Sequence, residues 1–414
     1  MRICVVGAGV VGVTSAYFLA RDGHEVVLAD ARPRPAELAS YANGGQLSYS
    51  YVAPLAGPGV LSSVPGYLLH SDSPLRFRPR LDPHQWRWCL QFVAACRASV
   101  AQASTAQLQA LAYLSRDTLH ALLRHEPLEF GHVRNGKLIV YRDPAMLDKA
   151  RALAAYQATL GARQQVLDAE GTLALEPALA GMGSALAGAV YTPGEEAGDC
   201  LRFTEGLYER FCKLPGATGS LGNPVHGLVR RGGRIAAVRT EAGEIEADAV
   251  VLATGLGTRA LLRPLGGDVP IYPLKGYSLS VPLAAEDRTA PAISVTDYQR
   301  RIVYARIGSV LRIAAMVDIG AEAGIDPARI ALLKRQVREA FPTLDLDQAV
   351  AWAGQRPATP GGKPLIGRSR VASNLWLNVG QGALGFTLAC GSAALLTALM
   401  DDAPPPLDPG PFAP

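Results

Sequence analysis

Apolar residues along this chain follow two rhythms, and the places where one gives way to the other outline its elements. Arg2 to Gly7 is a short continuous apolar run, Val10 to Asp22 has helical spacing, and Glu25 to Asp30 is a second short run, which together predict one βαβ unit. Helical patterns return at Gln85 to Glu126, Pro144 to Gly161 and Leu201 to Leu214, with a strand at Gly136 to Tyr141 between the first two. Strand-like runs follow at Ile235 to Thr240 and Ala249 to Thr254. Ile271 to Val281, Arg301 to Ala305 and Val310 to Met316 alternate as half-buried strands do. Pro327 to Phe341 predicts a helix that Pro342 stops, Trp376 to Val379 a short strand, and Phe386 to Met400 a last helix. From Ala403 onward proline dominates and a loosely held tail is expected. No internal repeat is present.

Crossover patterns at the start, middle and end of the chain, with antiparallel patterns between, predict two interleaved domains. Residues 1–75, 190–262 and 355–402 are assigned to one, residues 76–189 and 263–354 to the other, and 403–414 to the tail. The length of 414 residues suits this division. Hydrophobic residues at 49% and charged residues at 18% exclude global disorder. A net charge of +4, with both signs mixed along the chain, gives no argument for nucleic acid. The six cysteines include no C-x-x-C pair and no zinc spacing, so no metal site is expected and a reducing, cytoplasmic setting is. The uncharged run 38–71 is broken by glycines and prolines and cannot be one helix. It reads as chain buried near a cofactor, or alternatively as a contact with a membrane's inner face, a quinone or a partner subunit.

Val5-Val6-Gly7-Ala8-Gly9-Val10-Val11-Gly12 is a G-x-G-x-x-G between a predicted strand and a predicted helix. Gly7 permits the tight turn, Gly9 lets the backbone approach a pyrophosphate, and Gly12 lets the helix pack on the sheet. The helix start then aims N–H groups at the phosphates. Asp30 closes the second strand 18 residues past Gly12, where its carboxylate suits a ribose hydroxyl and disfavours a 2′-phosphate. The apolar strand ending Leu252-Ala253-Thr254-Gly255 would return beside this unit. The cluster Gly380-Gln381-Gly382-Ala383-Leu384-Gly385 opens the last helix, and its N–H groups suit the electron-rich end of a reduced flavin. These features favour FAD over NAD.

With these clusters, the sequence resembles the small subunit of bacterial D-amino-acid dehydrogenases, within the wider family of D-amino-acid oxidase and glycine oxidase. The resemblance is carried by Ala42-Asn43-Gly44-Gly45-Gln46, Gly198-Asp199-Cys200, Tyr272-Pro273-Leu274-Lys275-Gly276-Tyr277-Ser278-Leu279, Arg356-Pro357 with Thr359-Pro360, Asn374 to Asn378, and Thr387 to Ser392. It implies an α/β fold in which a Rossmann-type FAD-binding domain interleaves with an α+β substrate domain built on an antiparallel sheet. It further implies FAD contacts at Gly7, Gly9, Val10, Val11, Gly12, Asp30, Asn43, Gly44, Gln46, Val225, Ala253, Gly255, Gly382, Leu384, Gly385, Phe386 and Thr387.

Arg356 falls where the family grips the substrate carboxylate, a task suited to a planar guanidinium, although an ion-paired arginine is the alternative. Tyr304 and Tyr277 are candidates for the same pocket, with a packing role open for each. Gln381, Ala383 and Phe386 depart from the family's usual residues, which points to a reshaped pocket and to a cyclic D-amino acid such as D-proline or cis-4-hydroxy-D-proline. None of the seven histidines falls in these motifs. That fits hydride transfer from a neutral amine to the flavin, with a quinone or another redox carrier as final acceptor. An NAD-dependent dehydrogenase, and a flavoprotein subunit of a larger assembly acting on glycine- or sarcosine-type amines, stay open.

Overall fold

The protein is described by a computed structural model that covers residues 1–61, 66 and 72–414, so part of the run 38–71 lies outside the described residues. Its first sheet has six strands in the order β19 (Leu365–Arg368), β20 (Leu375–Val379), β13 (Ala249–Leu252), β1 (Arg2–Val6), β2 (Glu25–Ala29) and β9 (Ala217–Ser220). All neighbours are parallel except β19 and β20. Ile3, Cys4 and Val5 are fully buried, as continuous apolar strands covered on both faces must be. Helix Val10–Arg21 covers one face together with helices Ala98–His125, Cys200–Phe211 and Gly385–Met400, which share its core. That packing explains why Gly385–Met400 is apolar on all sides.

The second sheet runs β18 (Val350–Ala358), β14 (Tyr272–Pro282), β17 (Val310–Ile319), β16 (Ile302–Ile307), β15 (Ser294–Asp297), β5 (Lys137–Tyr141), β7 (Gly188–Thr192) and β6 (Gln165–Asp168), with β4 (Leu75–Phe77) beside β17. It is mostly antiparallel; β15 with β5 and β17 with β4 are the parallel pairs. Helix Pro327–Ala340 packs behind it, and Leu279, Tyr304, Ile313 and Leu333 share that rear core. The front faces the first sheet's crevice. β10 (Val225–Arg231), β11 (Arg234–Thr240) and β12 (Gly243–Glu246) form an antiparallel meander between β9 and β13, and β3 (Gln46–Leu47) pairs with β8 (Glu196–Ala197).

Several boundaries differ from those expected. The division at 189/190 falls inside β7 and that at 354/355 inside β18, both strands of the second sheet. Helix Ala98–His125 packs with the first sheet's helices, because its Leu108, Leu111 and Leu119 complete their apolar layer. The tail is held: Phe412 is buried in the first sheet's core, and the Pro414 ring lies against Gly367.

Candidate active site

The glycine-rich turn leaves β1 at the point where its neighbours β13 and β2 lie on opposite sides, which is where open parallel sheets offer a crevice. A Cβ at Gly12 would sit 1.7 Å from the Gly7 carbonyl oxygen, so only glycine lets the helix approach the turn. Helix Val10–Arg21 begins at Gly9 without a side-chain cap from that residue, while Ser40 Oγ accepts the Val10 N–H at 3.1 Å. Asp30 stands at the end of β2. Its two carboxylate oxygens accept the Ala8 N–H at 2.6 Å and the Arg32 N–H at 2.7 Å, which fixes the group at the mouth of the turn. The Asn223 N–H donates to the Asp30 carbonyl, and Val225, just beyond, packs against the cluster that holds Val6 and Ala29.

The other expected cofactor positions converge on the same crevice. The Ala253 N–H donates to the Val6 carbonyl, and Gly255 faces the Pro357 ring. Gly382 faces Ala358, and a β-bridge joins Ala358 to Gln381. The segment from Asn43 to Ser50 crosses the front of the second sheet. Gly44 lies against Val303 and Ala314 there, and Gln46 Nε2 donates to the carbonyls of Val295 and Tyr304 at 3.2 and 3.0 Å. Thr387 Oγ1, in the first turn of the last helix, accepts the Ser48 N–H at 3.3 Å. Gly9, Asn43, Gly44, Gln46, Gly382, Leu384 and Gly385 are only half-buried although both sheets surround them. They stand where the two sheets meet. A glycine cradle and a helix start at the carboxyl end of a parallel sheet fit an extended dinucleotide.

Arg356 stands on β18 and reaches across β14, where its guanidinium lies flat on Gly276. A Cβ there would be 2.2 Å from Nη2. Nη1 donates to the Met316 carbonyl at 3.0 Å, and Arg356 makes no ion pair among the described residues. Burial pulls its pKa down to about 10, with Asp318 acting in the other direction. A desolvated guanidinium whose planar edge is only partly bonded is a site for a carboxylate. Met316 itself has φ of 68°, unusual for a non-glycine residue, at a register shift between β14 and β17. This turns its carbonyl toward Arg356 while its side chain stays in the rear core.

Three expected site side chains are elsewhere. Strand alternation carries Val303 to the front and Tyr304 to the rear, where the Tyr304 ring packs edge-on against Phe341 with centroids 4.9 Å apart. Its hydroxyl is buried without a hydrogen-bond partner. The same alternation turns Tyr277 rearward, where its hydroxyl donates to Asp318 at 3.0 Å and Asp318 pairs with the buried Arg329. Both tyrosines therefore leave the candidate site. The Phe386 ring packs on Phe130 and Phe203, so any cofactor contact there falls to its backbone. Gln381 is buried and donates to Asn378 Oδ1 at 2.7 Å, a packing task. Of the three departures from the family pattern, only Ala383 keeps an accessible side chain.

Because the Tyr304 hydroxyl is already unsatisfied, removing it costs no hydrogen bond. Tyr304→Phe is expected to keep kcat/KM within about twofold of the parent and to melt at the same or a higher temperature. A tenfold loss of kcat/KM with intact cofactor would restore Tyr304 to the site.

Sequence reasoning missed other groups in and around the cleft. Arg312 donates to the Asn43 carbonyl at 3.1 Å and pairs with Asp199 at 3.4 Å, which pins the 43–46 segment. Glu195, buried, accepts the N–H groups of Tyr49 and Ser50, and buried Lys137 donates to Ser48 Oγ at 2.8 Å. Glu196 accepts from His120 and His132, which accounts for two of the histidines. Burial raises the Glu196 pKa, but these bonds outweigh it and hold the carboxylate below its ordinary range. Only Gly198-Asp199-Cys200 carried any signal for this group in the sequence.

Comparison with known proteins agrees with this geometry. The model of the DAO family, described as FAD dependent oxidoreductase, matches residues 2–399. The chain is 51% identical over 423 residues to "D-amino acid dehydrogenase 2" of Ralstonia nicotianae, covering 100% of this chain and 99% of that one. It is 50% identical to the protein of the same name from Pseudomonas aeruginosa, covering 98% and 96%. Among solved structures, glycine oxidase from Geobacillus kaustophilus superposes with a TM-score of 0.76 at 21% identity, covering 100% and 98%. L-proline dehydrogenase from P. horikoshii gives 0.75 at 17%, covering 97% and 93%. The last two show the shared fold.

Proposed function

The chain belongs to the DAO family of FAD-dependent oxidoreductases, and on that premise we propose that it dehydrogenates D-amino acids to imino acids, cyclic ones such as D-proline and cis-4-hydroxy-D-proline foremost. The observation that carries this is Arg356, a desolvated cation without an ion pair among the described residues, lodged between the second sheet and the glycine clusters that line the cleft. Relatives named D-amino acid dehydrogenase 2 at half identity over the full length support the substrate class.

FAD, when bound, supplies the two-electron acceptor. The residues that would hold it are the Gly7–Gly12 turn, Asp30, the Asn43–Gln46 segment, Ala253 to Gly255, and Gly382 to Thr387. Arg356 binds the carboxylate and so fixes one of the four substituents on Cα. Gly276 lets the guanidinium lie flat, and the Met316 carbonyl sets its rotation, so the fork arrives oriented rather than free to swing. With Tyr304 and Tyr277 behind the sheet, holding the amine falls to main-chain carbonyls at the front. A neutral amine assists loss of the Cα hydrogen without a strong base, in keeping with a histidine pair already committed to Glu196. We place the final acceptor as a quinone or another redox carrier, reached at the inner face of the membrane. The exposed Leu81, Trp86, Leu90 and Val93, on and beside helix Pro83–Ala95, support such a docking.

Anaerobic addition of D-alanine, D-methionine, D-proline, cis-4-hydroxy-D-proline, their L-forms and sarcosine, followed at the flavin bands, tests this. Bleaching by D-forms, fastest with the cyclic ones, is expected. Linear D-substrates faster by tenfold would end the cyclic reading, and an L-form or sarcosine in the lead would end the D-specific one.

A further inference from the structure

β18 carries Arg356 into the site and then leaves it on the far side. Ala358 bridges to Gln381, and the next residue, Thr359, lines a cavity of about 300 Å³. Its walls include Pro270, Pro360 and Pro364, and its polar side chains are those of Thr359, Gln91 and Lys363. A smaller cavity of about 80 Å³ adjoins it, since Gln91 and Pro270 line both, and Arg87 and Trp88 stand on its other side. Gln91 and Arg87 are exposed and Lys363 is half-buried, so a molecule in solution or at a surface can reach the larger cavity.

A single layer of chain separates this cavity from the glycine cluster that opens the last helix. A Cβ at Gly380 would stand 2.7 Å from the Thr359 methyl and 3.7 Å from Ile271, the neighbour of Pro270. Trp88 ties the same wall by donating its indole N–H to the Ala358 carbonyl at 2.9 Å. The cavity is thus the outer neighbour of the segment assigned to the flavin.

Its chemistry suits an amphiphile. Proline rings supply flat apolar walls, and a Cβ at Gly361, another lining residue, would meet nothing. Lys363 makes no ion pair among the described residues. Its ammonium donates to Gln107 Oε1 at 2.8 Å and carries two further N–H groups. Burial pulls its pKa below the ordinary lysine range, which eases the loss of a proton. Beside Gln91 on helix Pro83–Ala95, Leu90 and Val93 are exposed together with Arg87, and Arg97 follows the helix. No acidic residue occurs from Pro83 to Arg116. A chain leaving the cavity past Gln91 would therefore meet a surface both apolar and basic, the pairing that an anionic lipid surface attracts.

We propose that this cavity binds the ring of a prenyl quinone, with Lys363 donating to one of its carbonyl oxygens and the prenyl chain leaving past Gln91 and Leu90. The proposal rests on the reading of the final acceptor as a quinone and deepens it by naming where that acceptor binds. The reduced enzyme gives up two electrons and two protons, and the quinone takes both and leaves as the quinol. Negative charge that gathers on the ring oxygen during transfer meets the Lys363 ammonium in a charge-assisted hydrogen bond.

The test uses the flavin-loaded enzyme, reduced anaerobically with stoichiometric dithionite so that no amino acid is needed. Reoxidation by a short-chain ubiquinone and by ferricyanide is followed at the flavin bands, and calorimetry gives the affinity of the oxidised enzyme for the quinone. Lys363→Met removes the charge, and Gln91→Trp fills the cavity from an exposed position. Each is expected to slow reoxidation by the quinone about tenfold and to weaken its binding in step, the effect of losing about one hydrogen bond from a charged donor. Ferricyanide, which needs no cavity, should reoxidise both variants at the parent's rate. A loss under about threefold with the quinone in either variant, or an equal loss with ferricyanide, overturns the site. The two levels separate. A parent enzyme that the quinone fails to reoxidise ends the quinone reading and the site with it, whereas a parent that it reoxidises, with both variants unchanged, ends the site alone.

Discussion

Arg356→Ala is expected to lower kcat/KM for every D-amino acid substrate by on the order of 10²-fold, mostly through KM, while the flavin stays bound. A bidentate guanidinium–carboxylate contact in a desolvated site contributes about 3 kcal/mol, and each 1.4 kcal/mol is a factor of ten. The loss is uniform across side chains because the carboxylate is common to all of them. Arg356→Lys is expected to recover only part of it. An ammonium can reach the Met316 carbonyl or the substrate, but it lacks the flat fork that lies on Gly276. Steady-state kinetics with an artificial electron acceptor, alongside the flavin spectrum, gives the answer. Unchanged constants in the alanine variant would mean that another group holds the carboxylate.

The second large effect concerns the cofactor. Gly12→Ala is expected to yield protein with less than about a tenth of the parent's flavin, or protein that fails to accumulate. The added methyl would stand 1.7 Å from the Gly7 oxygen and 3.3 Å from the Ala253 side chain, with the backbone on both sides fixed by β1 and β13. The helix start must move outward, and overpacking of this kind typically costs 1–3 kcal/mol, often more against rigid backbone. Flavin content per chain after denaturation measures it, and the parent is expected to release FAD rather than FMN. Stoichiometric FAD in the variant would show that the turn does not cradle the cofactor.

The sequence made the cofactor half of the cleft legible because its parts are local. The strand, the glycine spacing, the helix and Asp30 lie within 30 residues, and each follows from backbone sterics rather than from distant contacts. Arg356 could be reached through the resemblance, but β18 itself carries no strand pattern. Gly354 and Pro357 interrupt it, and the Trp352 ring folds over Gly354, so neither alternation nor propensity marks it. Tyr304 and Tyr277 failed for a different reason. A strand's period of two sends neighbours to opposite faces, and a pattern of buried residues does not say which face is the cleft. Here Tyr304 joins a rear core with Phe341 and Leu333, contributed by a segment some 30 residues away. Lys137, Glu195 and the segment from Ser48 to Ser50 come from three remote stretches. Their proximity depends on which strands neighbour one another, and that order is set only by tertiary packing.

The order of strands in the first sheet has a bearing on how the protein comes into being. β1 is made first, yet it is flanked by β13 from residues 249–252, and β13 in turn by β20 from residues 375–379. At ~5–20 residues per second, synthesis of the chain takes roughly 20–80 s. For most of that interval, the nascent glycine turn has β2 beside it and open water where β13 belongs. The walls that would grip the far end of a dinucleotide, from Gly382 to Thr387, emerge last of all. Capture of the cofactor is thus a closing event of biogenesis, and the apolar face of helix Val10–Arg21, met earlier by helices Ala98–His125 and Cys200–Phe211, is completed only when helix Gly385–Met400 leaves the ribosome.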